Sequence, residues 1–217
     1  MAISGAATIS KARAVLSDLT ATYRWSDADL VGWLNSGQRQ IVLLKPNSFA
    51  QPAVIQLVPG TVQTIPGLEF IRVNRFMWDL TTPGSAVLPV AQELLDVLYP
   101  GWHTAQASME IKNYMFNKRD SQTFLVYPPQ PDPAGYAEIV QTPYPDDITI
   151  IISVITGDII DDIFEKPLID FIVSCALSED TANADMVASE RFMQRFTNAI
   201  GGKAQAENAA QADTDAR

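Results

Sequence analysis

Cysteine and histidine each occur once in the 217 residues, as Cys175 and His103. A single thiol excludes a disulfide framework within the chain and any multi-cysteine zinc site, and it suits a reducing compartment. A single imidazole excludes zinc sites that need two. Charge is thin too: charged residues make up 18% of the chain, against about 25% in an average soluble domain. Only 15 Lys and Arg stand against 25 Asp and Glu, for a net charge of −10. That balance argues against broad electrostatic wrapping of nucleic acid, although an acidic chain can still enclose DNA. Neither GxxxxGK[ST] nor GxGxxG occurs, and nucleophile elbows are missing. The longest apolar run, Ile148 to Ile155, is far short of the roughly 18 residues of a membrane span. Met1 to Lys11 is small and polar with no apolar core after a basic start, so no secretory signal is expected and synthesis is expected in the cytosol.

Proline organises the rest. Thirteen of the fourteen prolines lie between Pro46 and Pro145, among them four Pro-Gly pairs beginning at Pro59, Pro66, Pro83 and Pro100. Such pairs suit the centres of type II turns. The middle therefore reads as turns and strands, and the nearly proline-free flanks carry helical spacing. Ile9, Ala12, Leu16 and Leu19 predict a first helix, with Ser10 as a candidate cap. Ser26 and Asp29 resemble a capping box opening a second, whose stripe Leu30, Trp33, Leu34, Gly37, Ile41 and Leu44 ends at Pro46. Pro167 suits the first turn of a third helix carrying Leu168, Phe171, Ile172 and Cys175. Met186, Ser189, Met193, Phe196 and Ile200 predict a last helix stopped by Gly201-Gly202. Residues Lys203 to Arg217 lack large apolar side chains and read as a flexible tail. Between the flanks, Phe124 to Tyr127 and Tyr136 to Val140 read as strands, Tyr114 to Phe116 as a partner of the former, and Ala91 to Leu98 as a short helix.

The expected fold is therefore α+β. A discontinuous helical bundle over 1–50 and 157–202 carries a β-rich, proline-rich insert over 51–156, with the tail at 203–217.

Few residues offer chemistry. Cys175 falls on an apolar helix face and reads as a core residue; His103 follows a Pro-Gly turn beside aromatics and reads as a loop residue. Asp158, Asp161, Asp162 and Glu165 form the best acidic cluster, but their spacing matches no calcium loop, and a solvated turn before the helix near Pro167 is the plainer reading. Glu110-Ile111-Lys112 is an ExK triplet whose Pro-Asp pairs follow it instead of preceding it, a poor match to a nuclease. No catalytic residue, metal ligand or cofactor is assigned.

Charge is unevenly spread. Residues 1–50 hold five basic and three acidic side chains, 51–147 five and ten, 148–200 three and nine. A positive face near Arg13 and Arg39 and a negative face near Asp185 and Glu190 are thus candidates for contact between subunits. Arg72, Arg75, Lys112, Lys118 and Arg119 are candidates for DNA phosphates, with solvated loop charges as the plainer reading.

Three blocks, in order, resemble bacteriophage head-to-tail adaptor proteins, the class related to tail tubular protein A of short-tailed phages. They are Arg24 to Pro46 for the opening helix pair, Phe124-Leu125-Val126-Tyr127-Pro128-Pro129 with Gly135 to Val140 for a strand, double-proline turn and strand, and Leu168 to Asp180 continuing to Arg191-Phe192 for the closing pair. The resemblance implies a non-enzymatic virion protein, a homo-oligomeric and dodecameric ring beneath the portal protein. It would carry the tail or nozzle protein and let double-stranded DNA through without holding it, with no membrane involved. A ring needs two different patches per subunit, which oppositely charged flanks would supply. Residues 203–217 are a candidate for ordering against the portal. Another phage neck or tail-completion protein is the alternative, and a metal-dependent nuclease a distant one.

Overall fold

The computed structural model describes all residues except 1–2, 20–22, 117–119, 152–153, 158, 180–183 and 216–217, and the backbone alone at 48, 151 and 202–215. The described residues form five α-helices and ten strands, an α+β fold. The chain divides into two compact units: Met1–Lys45 with Pro145–Arg217, and Pro46–Tyr144.

The first unit holds α1 (Gly5–Val15), α2 (Asp27–Leu44), the hairpin β9 (Thr149–Ile151) and β10 (Val154–Thr156), α4 (Glu165–Glu179) and α5 (Met186–Asp215). Helix α1 is capped by Ser4, which accepts from the Ala7 N–H at 3.3 Å, and not by Ser10. It ends before Ser17, whose φ of 57° breaks the helix and leaves Leu19 exposed beyond it. Helix α2 starts as its sequence predicts: Ser26 accepts from the Asp29 N–H, and the Asp29 carboxylate accepts from Ser26 N. Helix α4 carries buried side chains all round, from Leu168 and Phe171 to Ile172 and Ala176, as a helix does at the middle of a core. Gly37 of α2 is there for close approach, since a Cβ would stand 3.0 Å from both Leu168 and Phe171. Helices α4 and α5 are joined by buried hydroxyls: Ser174 donates to the Ser189 carbonyl at 2.9 Å, and Ser189 to the Ser174 carbonyl at 2.8 Å.

The hairpin β9–β10 belongs to this unit and not to the 51–156 segment expected from sequence. The Asn35 side-chain amide donates to the Ile148 carbonyl at 2.9 Å and accepts from the Ile148 N–H at 2.9 Å. Buried Gln38 accepts from the Ile160 N–H at 2.9 Å. These polar anchors on α2 hold the returning chain, and no hydrophobic spacing announces them. A second difference concerns α5, whose backbone stays helical through Gly201-Gly202 to Asp215. Each glycine costs about 1 kcal/mol in a helix, but the following Lys203-Ala204-Gln205-Ala206-Glu207 is built of strong helix formers.

The second unit packs two four-stranded sheets face to face, β1-β8-β3-β4 and β2-β7-β6-β5, antiparallel except for the β5–β6 pair. The strands are β1 (Gln51–Gln56), β2 (Gly60–Thr64), β3 (Glu69–Met77), β4 (Pro83–Ala86), β5 (Leu88–Pro89), β6 (Asn113–Phe116), β7 (Thr123–Gln130) and β8 (Tyr136–Thr142). The chain passes between the two sheets at four corners, between β1 and β2, β2 and β3, β4 and β5, and β7 and β8. At the first corner Gly60 takes φ 101°, open to glycine. Buried Gln63 braces the turn, accepting from the Val58 N–H at 2.7 Å and donating to the Val58 carbonyl at 2.8 Å. Strands β7 and β8 fall where the sequence placed them, and Tyr114 to Phe116 does pair with β7. Pro128-Pro129, expected as a turn, instead lies inside β7. The ladder there uses carbonyls alone, Tyr127 accepting from Lys112 N and Pro129 from Ser108 N, so no proline N–H is needed. Pro83-Gly84 likewise opens β4, and the preceding turn is made by Asp79, whose carboxylate accepts from the backbone and hydroxyls of Thr81 and Thr82. Those bonds hold the Asp79 carboxyl well below the usual carboxylate range.

Strand β3 does not alternate. Bulges between Phe70 and Arg72 and between Val73 and Arg75 insert an extra residue each. Phe70, Val73 and Phe76 therefore all point inward, opposite the inward Gln141, Ile139 and Ala137 of β8. Phe70 is the centre of this core: its ring stacks on Phe124 at 4.5 Å and meets Phe116 at 4.8 Å and Tyr114 at 5.8 Å. Outside the second sheet, α3 (Gln92–Leu98) and the Trp102 turn pack Leu95 and Trp102 on Met115, Leu125 and Tyr127. Phe70→Ala is expected to destabilise the protein by about 3–5 kcal/mol, read as a lower urea midpoint followed by near-ultraviolet circular dichroism.

Candidate functional site

The candidate residues divide sharply by environment. Arg13, near the end of α1, is buried. Its guanidinium donates to the Asp18 carboxylate, to the Trp25 carbonyl at 3.0 Å and to Asp27 at 2.7 Å, and lies over the Tyr23 ring at 3.9 Å. Asp18, also buried, accepts in turn from the Arg24 N–H at 2.8 Å. Arg13 is thus the tie between α1 and the start of α2, and its charge is spent inside its own unit. Only an arginine fork reaches three acceptors in one plane.

Arg39 is half exposed on α2 and donates to both oxygens of Asp147, at 2.6 and 2.8 Å. A surface pair of this kind contributes about 0–1 kcal/mol, so it can be exchanged for another partner. Asp185 precedes α5 and caps it, accepting from the Ala188 N–H at 2.9 Å. Glu190 is exposed on α5. The structure therefore does not gather Arg13 and Arg39 into one positive face: one is internal and the other is on the surface.

Of the residues proposed for phosphate, Lys118 and Arg119 lie outside the described residues. Lys112 is exposed just ahead of β6, where its backbone N–H binds Tyr127. Arg72 and Arg75 stand together on the outer face of the β1-β8-β3-β4 sheet, brought there by the two bulges. Arg75 reaches Glu138 of β8 at 3.5 Å, and Glu138 also accepts from Asn74 at 2.8 Å. Arg72 forms no ion pair among the described residues; its charge lowers the Tyr114 phenol against burial, which is the larger effect and leaves that phenol raised.

The remaining chemistry is structural. Cys175 is half-buried against the helical core, and burial with Glu179 nearby pushes its thiol up to about 11, away from nucleophile territory. His103 is exposed, stacked on Trp102 at 3.6 Å, with Nδ1 3.0 Å from the Thr61 hydroxyl. Within the acidic cluster Asp158 lies outside the described residues, Asp161 caps a 3-10 turn at Asp162–Phe164, and Glu165 accepts from Lys11 at 2.6 Å. Glu110 accepts from Ser85 at 2.6 Å. Among the described residues no three His, Cys, Asp or Glu side chains converge to hold a metal ion, and no helix is long and apolar enough to cross a membrane. A groove of about 860 Å³ beside the start of α3 is lined by Val90, Met115 and Leu125, with Glu93 and Asp120 its ionisable groups.

The sequence reading missed one surface. On α3, Leu94, Val97 and Leu98 are exposed by 50, 77 and 60%, and Tyr99 follows them into solvent. The signal was present as four apolar residues, Leu94, Leu95, Val97 and Leu98, in a seven-residue helix that a single sheet can cover only on one side.

The described residues thus hold two hydrophobic cores, an exposed apolar stripe on α3 and charged side chains tied into bracing contacts. The profile of the SU10 adaptor protein family matches residues 6–217. The chain belongs to that family, which bears out the resemblance to phage head-to-tail adaptors and makes it a structural phage protein. A comparison with curated proteins gives no match. Arg13→Met is expected to destabilise the protein by about 3–5 kcal/mol, because it leaves Asp18 buried without its cation; the check is a urea titration at pH 7, in which Arg39→Met shifts the midpoint far less.

Proposed function

We propose that the protein joins capsid to tail as a dodecameric ring beneath the portal, carries the tail or nozzle protein below, and lets double-stranded DNA pass without holding it. The observation that carries this reading is the family match across residues 6–217. The charge balance of −10 supports the DNA part: screening confines repulsion to about 8 Å at physiological ionic strength, so an acidic or neutral lining keeps DNA sliding instead of adhering. In the helical unit, Arg39 is the cation offered to Asp185 and Glu190 of a neighbour, and Arg13 takes no part. Residues 203–217, the stretch in which α5 ends at Asp215, are the segment offered to the portal.

The test is electron microscopy of the purified protein mixed with the portal protein of the same phage. A ring of portal-matched symmetry beneath the portal is expected, together with duplex DNA binding weaker than micromolar at 150 mM salt. Protein that leaves the portal bare, or binds duplex DNA at nanomolar concentration with strong salt dependence, would overturn the reading.

A further inference from the structure

The second unit presents two surfaces on opposite sides of one sandwich. One is the outer face of the β1-β8-β3-β4 sheet. Its cross-strand register sets Pro52, Val140 and Arg72 in one row, and Val54, Glu138 and Arg75 in the next. Burial along β8 alternates so that Glu138 and Val140 face away from the core, and the residues paired with them share that face. The row thus offers apolar Pro52, Val54 and Val140 beside the guanidinium groups. Glu138 is already neutralised by Arg75, so Arg72 leaves this face positive.

The other surface is α3, laid over the outside of the β2-β7-β6-β5 sheet through Leu95. Its free stripe is Leu94, Val97 and Leu98, at spacings of three and four. Glu93 and Asp96, three apart, run alongside as an acidic row, with Asp96 also accepting from the Trp102 indole at 2.8 Å. The sheets between the two surfaces are held by the Phe70–Phe124 stack, so the two faces are fixed back to back.

Both surfaces have an apolar strip flanked by charge, and the charges are opposite. Leu94, Val97 and Leu98, each exposed by half or more, form a contiguous apolar strip with an acidic edge, the polar-rimmed arrangement that interaction sites have. We infer that the α3 face of one subunit packs on the outer β3–β8 face of the next copy of this chain, Glu93 and Asp96 meeting Arg72. Two different, complementary patches on opposite sides make a heterologous contact, the kind that closes into a ring. This rests on the ring reading above and gives it a contact. It also takes Arg72 and Arg75 away from DNA.

The test uses two exposed substitutions. Val97→Asp puts a charge on the α3 stripe and leaves the sheet face intact; Arg72→Glu reverses the sheet face and leaves α3 intact. Like-charge contact or a buried unpaired charge costs enough to reduce ring formation about tenfold or more. With wild-type melting temperatures confirming that both variants fold, native mass spectrometry counts subunits on the portal. Wild-type protein is expected to form full rings, each variant alone to bind as isolated subunits, and an equimolar mixture to form pairs, since one good face of each kind remains. Full rings from either variant overturn the inference while leaving the ring reading standing. Wild-type protein that forms no ring overturns the ring reading itself. Arg72→Glu rings that assemble normally but lose DNA retention assign this face to DNA and overturn the inference. Failure of the mixture to form pairs means that the two faces do not meet, which also overturns it.

Discussion

The paired hydrogen bonds between the Asn35 amide and the Ile148 peptide are the constraint on which the helical unit depends. The chain leaves this unit after α2 and returns only at Pro145, so its two halves must find each other across about a hundred residues of sequence. A hydrophobic face alone would not fix the point of return, because apolar contact is non-directional. Asn35 reads the Ile148 backbone in both directions and Gln38 takes the Ile160 N–H, so two polar side chains on consecutive turns of α2 set the register. Ile148 then lies against Gly5, and Gly5 donates to the Gly157 carbonyl at 2.8 Å, which brings α1 into the same arrangement. The core around α4 follows from that closure.

The second unit solves a different problem. It makes a closed two-sheet core from short strands, and it does so with bulges and corners instead of long alternating runs. The bulges in β3 turn Phe70, Val73 and Phe76 to one side and Arg72 and Arg75 to the other. One irregularity therefore serves both packing and surface: it centres the aromatic cluster and collects the positive charge outside. Each charged side chain of note is either braced within a unit, as Arg13 is, or displayed on a sheet or helix.

The sequence was most legible where a local signal and a pattern agreed. Helix α2 had a capping box, an apolar stripe and a terminal proline; the cap and the stop act as expected, and the stripe is buried at Leu30, Leu34, Gly37 and Ile41 while its last member, Leu44, is exposed. The β6–β7 pair and α3 were legible for the same reason. Spacing of three along Phe70, Val73 and Phe76 belongs to no strand pattern, so the faces of β3 could not be read without knowing the bulges. The membership of β9–β10 rests on amide hydrogen bonds from α2, which leave no periodic trace. Arg13 shows the limit most clearly: nothing in the surrounding residues distinguishes an arginine tied to Asp18 and Asp27 from one free on a surface, and the expectation of a positive patch at Arg13 and Arg39 failed on burial alone. The glycine pair at Gly201-Gly202 was read as a stop because its local penalty was weighed without the helix formers that follow.

The central claim is that this chain is a structural adaptor whose copies meet through the two outer faces of the β unit. A cryo-electron microscopy reconstruction of the protein assembled on its portal tests it most directly. The account predicts a single ring below the portal in which α3 of each subunit lies on the outer β3–β8 face of its neighbour, with Leu94, Val97 and Leu98 out of solvent. A ring in which α3 stays in solvent, or a portal complex in which the copies do not touch through their β units, would contradict it.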